Sequence, residues 1–161
     1  NVPLLIQYFI EYQKKNATPW KLVLMGEGEP VPPHPDIVPI GFRQGQDKYD
    51  VYAAADLLCQ PSVNESFSIV IMESWISSVP VLVHNDCDVT RYHAVTSNGG
   101  LYFQTYAEFE GIMNLLLKDE TLRTTLGRQG HTYVTTQYAW SSVLERFLTA
   151  LDSWAALRAH S

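Results

Sequence analysis

The sequence predicts an α/β fold, a mostly parallel sheet with helices on both faces. Two observations lead there. Five short apolar runs of strand length fall at residues 21–25, 37–40, 57–60, 79–84 and 100–103. Most are separated by stretches whose apolar residues recur at helical spacing, and strands alternating with helices make a covered parallel sheet.

Taken in order, residues 3–15 carry Leu4, Leu5, Tyr8, Phe9 and Tyr12 on one helical face, and Pro3 suits a first helical turn. The strand at 21–25 ends at Gly26-Glu-Gly28, and the Pro-rich stretch 29–35 reads as a loop. The strand at 37–40 is closed by Gly41-Phe42, and 47–55 reads as a short helix capped by Asp47 or a neighbour. After the strand at 57–60, a helix is expected over 66–78, followed by the strand at 79–84. Residues 85–97 read as a loop with one helical turn. Beyond the strand at 100–103, helices are expected over 106–117, 120–135 and 141–157. No repeat, low-complexity tract or second domain interrupts residues 1–161.

Composition narrows the function classes. The chain is 46% hydrophobic and 17% charged, with a net charge of −6. A nucleic-acid partner demands clustered basic residues, and the only basic doublet is Lys14-Lys15. Cys59 and Cys87 form no CxxC pair, which is the usage of a reduced, cytoplasmic protein. No apolar run reaches membrane-spanning length, although a longer protein containing this chain could still associate with a membrane. The chain opens directly on a helix without Met, as a piece of a longer protein would.

The most informative segment is Glu65-Ser-Phe-Ser-Ile-Val-Ile-Met-Glu73. It leads from a strand into a helix whose first amides lack intrahelical partners, and small Ser66 and Ser68 leave the backbone approachable. That is a cradle for a diphosphate. Glu73 stands in an apolar helical run, where an unpaired carboxylate is costly. No Lys or Arg occurs from residue 51 to residue 90, so vicinal hydroxyls, as on ribose, would fit the place of a partner. Two plainer readings stay open. Asn64 or Ser66 could be an ordinary N-cap with Glu65 in the first turn. Glu73 could lie on a polar stripe with Ser66, Ser74 and Ser77. Asp86-Cys-Asp88 is too weak a pattern to imply a metal, and no metal or cofactor is expected. GxGxxG, GxxxxGK[ST] and GxSxG are all absent.

The ordered set of motifs resembles one family over nearly the whole chain. It comprises Trp20-Lys-Leu-Val-Leu-Met-Gly-Glu-Gly28, Ile40-Gly-Phe42, the run from Tyr52 through Glu73, Val79-Pro-Val-Leu-Val83, Asn98-Gly-Gly-Leu-Tyr-Phe103 and Leu126-Gly-Arg-Gln-Gly130. Together these resemble the C-terminal, nucleotide-sugar-binding half of the retaining GT-B glycosyltransferases of group 1, or family 4. The resemblance implies a Rossmann-like domain whose first strand, normally central in the sheet, lies upstream of Asn1 together with a basic pair that binds diphosphate. It implies an E-x7-E motif in which Glu65 is the catalytic-site residue contacting the donor hexose. Backbone of Ser66, Phe67, Ser68 and Ile69 would meet sugar and diphosphate, and Glu73 would bind ribose. Gly41, Phe42 and Arg43 would lie near the base.

Two departures within the chain stand out. The family's Glu-Gly-Phe-Gly is here Glu65-Ser-Phe-Ser68, and its Gly before the Pro-Val strand is Ser78 followed by Val79. The expected function is that of a donor-binding domain. It would serve a retaining, metal-independent hexosyltransferase whose acceptor is held by an N-terminal domain outside this chain, and the isolated chain would be inactive. The alternatives are part of a GT-B nucleotide-sugar epimerase and a non-catalytic nucleotide- or phosphate-binding module.

Overall fold

A computed structural model describes residues 1–28 and 30–159. Its elements run α1 (Val2–Asn16), β1 (Leu22–Met25), β2 (Ile37–Gly41), α2 (Gly45–Ala53), β3 (Leu58–Gln60), α3 (Ile69–Ile76) and β4 (Val81–His84). Then follow α4 (Asp88–Ser97), β5 (Gly100–Phe103), α5 (Tyr106–Lys118), α6 (Glu120–Gln137) and α7 (Trp140–Ala159). Every strand pair is parallel, so the expected α/β class holds.

Layering follows from the alternation of β4. Its neighbours in the chain point to opposite faces. Val81 and Val83 enter a core with Ile71, Met72 and Trp75 of α3, Ala94 of α4 and Val134 of α6. Leu82 enters the opposite core with Leu5 and Tyr12 of α1, Phe103 of β5, and Phe109 and Met113 of α5. Helices therefore cover both faces. All four residues of β4 are buried, as a central strand requires.

The strands form two separate pieces, β1-β2 and β3-β4-β5. A trough of about 2030 Å³ runs between them, lined by Leu22 and Leu24 of β1, Cys59 of β3 and Phe9 of α1. The break lies between the pieces that the family resemblance joins through an additional central strand. The amide of Leu22 donates to the Asp36 carbonyl, and that of Leu58 to the Pro80 carbonyl. In a parallel ladder alternate residues turn to the same side, so the backbone groups of Val23 and Cys59 face the trough.

Four local expectations need correction. Residues 85–97 hold a ten-residue helix, α4, not a single turn. Burial of Thr90, His93, Ala94 and Ser97 holds that helix despite its β-branched residues. The helix expected over 66–78 is confined to Ile69–Ile76, because Ser68 takes a left-handed conformation at φ 64° and Ser78 another at φ 58°. Neither Asn64 nor Ser66 caps α3; its N-cap is Ser68, with no side-chain cap bond. Gln44, not Asp47, is the N-cap of α2, and Asp47 sits in its first turn.

Helix α7 packs against α6 and leaves a run of apolar side chains in solvent, among them Trp140 at 80% exposure and Trp154 at 64%. Among the described residues no helix is long and apolar enough to cross a membrane.

Candidate donor site

The loops that the sequence singles out sit at the carboxyl ends of parallel strands, where ligands bind in sheets of this kind. Gly41 ends β2 and the segment 42–44 leads into α2. Gln60 ends β3 and the segment 61–68 leads into α3. Gly26, Gly41, Gln60 and Val70 are among the residues that line the trough.

Gln60 organises the second loop. Its side-chain amide donates to Glu65 Oε1 at 3.0 Å and to Ser68 Oγ at 3.3 Å, tying the two ends of the Glu65-Ser-Phe-Ser68 turn to the strand tip. Sequence reasoning passed over this residue, although a polar Gln closing an apolar strand was a usable signal. Ser68 is buried, at 5% exposure, with φ 64° and ψ 71°. That left-handed geometry is natural for glycine and costs a serine about 1–2 kcal/mol. It explains physically why the related motif has Gly there. The Phe67 ring turns inward against His93 and Tyr138 rather than toward the loop's open side.

Glu73 does not lack a cation, contrary to expectation. Lys48 Nζ of α2 donates to Glu73 Oε1 at 2.5 Å, and the Tyr52 hydroxyl donates to Oε2 at 3.2 Å. The reason is tertiary. Helix α2 packs on α3, bringing together residues 25 positions apart, and Lys48 lies just before the window of sequence that is free of Lys and Arg. Both groups remain partly accessible, Glu73 at 15% and Lys48 at 26%. The hydrogen bond from Lys48 to Glu73 holds the ammonium pKa above its usual value. Burial, and then the Glu73 charge, push the Tyr52 phenol upward, so it stays a neutral donor. A carboxylate has about four lone-pair positions, so two remain for a ligand's hydroxyls after these bonds are made.

The α3 face beside Glu73 is less covered than the sequence suggests. Ile71, Met72 and Trp75 are buried, but Ile69 is 64% exposed and Ile76 49%. Gly41 takes φ 70° and its carbonyl accepts from the Gly26 amide at 3.0 Å, which draws the first two loops together. Phe42 is 62% exposed. The Arg43 guanidinium folds back to donate to the Phe42 carbonyl at 2.9 Å. Among the described residues neither Phe42 nor Arg43 hydrogen-bonds to the 65–73 segment.

Other candidate chemistry is accounted for locally. Asp86 accepts from the Gln104 side chain at 3.0 Å, and Asp88 pairs with Arg91 at 2.7 Å. Among the described residues no three His, Cys, Asp or Glu side chains converge as a metal site would require. Both cysteines are free, and desolvation pushes the Cys59 thiol up to about 12, which favours the neutral thiol.

Parallel strands with helices on both faces define a Rossmann-like α/β domain. The family model described as glycosyl transferases group 1 matches residues 34–133, well over half of the chain, and the chain belongs to that family. No curated protein matches the chain in sequence. Several solved structures share its fold. TarM aligns with a TM-score of 0.78 at 19% identity, over 92% of this chain and 32% of its own. Alr3699/HepE from Anabaena, solved in complex with UDP, aligns at 0.75 and 16% identity, over 91% of this chain and 44% of its own. Sucrose-phosphate synthase from Thermosynechococcus elongatus aligns at 0.74 and 18% identity, over 97% and 43% respectively. The chain thus spans less than half the length of each of these structures.

Proposed function

We propose that this chain is the donor-binding domain of a retaining hexosyltransferase. It takes a nucleoside-diphosphate sugar and presents the hexose to an acceptor held by an N-terminal domain of a longer protein. The observation that carries the reading is that Glu65 lies in the strand-tip turn between β3 and α3 and Glu73 in α3 itself, a helix whose N-cap Ser68 makes no side-chain cap bond. The UDP bound in the Anabaena relative is the ligand chemistry such a turn suits.

The roles follow from position. Glu65 orients the hexose at the reacting centre. Backbone amides over residues 66–69 stabilise charge on the departing diphosphate, helped by the α3 dipole. Glu73 receives ribose hydroxyls on the lone pairs that Lys48 and Tyr52 leave free. Gly41, Phe42 and Arg43 border the base. Neither glutamate acts as a general base in this design, and the diphosphate charge is met by donors without a metal.

Titration calorimetry with UDP and with GDP tests the reading. One of the two binds the wild-type chain weakly, and Glu73→Ala removes the binding. Equal affinity of both nucleotides for wild type and variant would overturn it. The chain alone turns over no nucleotide sugar, because the acceptor side of the site is not part of it. Transfer by this chain above background would show that the acceptor side is present after all.

A further inference from the structure

We propose that His93, Tyr133 and Tyr138 are positioning residues that grip Phe67 and thereby hold the 65–68 turn in its left-handed, ligand-ready shape. The ligand consequence rests on the donor-site reading above; the grip itself does not.

The turn cannot hold its shape by local preference. Ser68 sits in a region that serine disfavours, and α3 begins without a side-chain cap. Gln60 restrains the turn from the strand side. From the helix side the only large handle in the turn is Phe67. Its ring meets His93 edge-on at 5.4 Å and Tyr138 edge-on at 5.2 Å, in the favourable geometry for aromatic pairs.

The grip is itself braced. His93 Nδ1 lies 2.9 Å from the Tyr133 hydroxyl, which lies 3.4 Å from the Tyr138 hydroxyl. Tyr133 stands edge-on to Trp75 at 5.7 Å, and the Trp75 indole donates to the Gly99 carbonyl at 2.9 Å. Helix α4 and the turn after α6 therefore meet on one side chain of the loop, and α6 braces both through Tyr133.

His93 is 5% exposed, and burial lowers its pKa, which favours the neutral imidazole at neutral pH. The polar groups facing it are phenols. Tyr133 and Tyr138 come from the α6 side and Tyr92 from its own helix at 5.6 Å, and the apolar ring of Phe67 lies against it as well. A cation, Arg146 of α7, lies 5.8 Å from the Tyr138 ring. Among the described residues no carboxylate pairs with His93. A proton placed on this ring finds no counter-ion, so it loosens the cluster and releases Phe67.

Two measurements test the grip on the folded chain. In ¹⁵N–¹H spectra, the Ser66 and Ser68 amides move with the titration of the His93 ring as pH is lowered. In His93→Gln, which keeps a polar side chain but cannot charge, they stay fixed. Amides that ignore the His93 titration in wild type, or that move equally in His93→Gln, would refute the proposal. In calorimetry with UDP or GDP, whichever binds, wild-type affinity falls about threefold or more between about pH 7.5 and about pH 5.5, beyond any fall in His93→Gln. The nucleotide's own phosphate titration is common to both proteins and cancels in that ratio. Phe67→Leu, which removes the ring but keeps an apolar side chain, loses affinity at both pH values. Superimposable pH profiles for wild type and His93→Gln would also refute the grip. If no nucleotide binds wild type yet the amides follow His93, the donor-site reading fails and the grip stands.

Discussion

Lys48→Met separates what Glu73 owes to its protein partners from what it offers a ligand. In the folded chain, Lys48 contributes one charge-assisted hydrogen bond at 2.5 Å to a carboxylate that is 15% exposed, and among the described residues the only other bond to that carboxylate comes from Tyr52 at 3.2 Å. Removing one partner of a fully buried pair costs about 3–5 kcal/mol. Fully exposed pairs are worth about 0–1 kcal/mol. With Lys48 at 26% exposure the pair falls between these limits. A destabilisation of about 1–2 kcal/mol follows, discounted toward the exposed limit for solvent screening. For a chain of this length that corresponds to a fall in Tm of about 3–6 °C.

Urea or thermal melts of wild type, Lys48→Met, Glu73→Gln and the double variant form a cycle that isolates the pair. Glu73→Gln removes the charge that makes Lys48 valuable, so the double variant lies closer to Glu73→Gln than additivity allows, by about 1 kcal/mol. Additive effects within about 0.3 kcal/mol would mean that the pair does not couple, and that the carboxylate is satisfied some other way.

Other consequences can be checked on the same footing. Ser78→Gly, at φ 58° directly after the α3 C-cap, stabilises the chain by about 0.5–1 kcal/mol, the left-handed strain relieved less the added flexibility of the unfolded glycine; a loss in chemical denaturation would refute it. Gly130→Ala places a Cβ 2.0 Å from Trp75 Cδ1, and the Trp75 ring is wholly buried, so the variant loses at least about 2 kcal/mol and Trp75 fluorescence shifts. His93 has a lowered pKa in the fold, so its neutral state contributes stability above about pH 6.5 that is lost as pH falls, and His93→Gln flattens that acid limb in urea titrations.

Much of the architecture was legible because its signals are local. The apolar runs at 57–60 and 100–103 lie within a residue of β3 and β5, and the covered-sheet reading follows from runs of that kind. The helix at Asp88–Ser97 was missed because its own composition argues against it. Val89, Thr90, Val95 and Thr96 are β-branched, and only packing of Thr90, His93 and Ala94 under the sheet makes the helix worthwhile. The shortened α3 was missed for the opposite reason. Its apolar run passes through residues 66–78 with no Gly or Pro to signal a stop, but left-handed Ser68 and Ser78 fence it at both ends.

The site divided in the same way. The position of the Glu65–Glu73 segment at a strand tip was readable from the order of elements. The ion pair of Glu73 with Lys48 and the contacts of Phe67 with His93 and Tyr138 link residues more than 20 positions apart, so no local pattern announces them.

The divided sheet bears on how a nucleotide would act mechanically. Gly41 ends β2 and Phe42 and Arg43 follow it, whereas Glu65 and Glu73 ride on the β3-β4-β5 unit with its helices, and α2, which carries Lys48, packs on α3 of that second unit. Among the described residues no ladder of backbone bonds joins the two, and the Lys48–Glu73 and Tyr52–Glu73 contacts hold α2, the connection from β2 to β3, against α3. A molecule seated with its base on one unit and its sugar on the other would act as a suture, slowing amide exchange in β1 and β2 although it touches few of their residues.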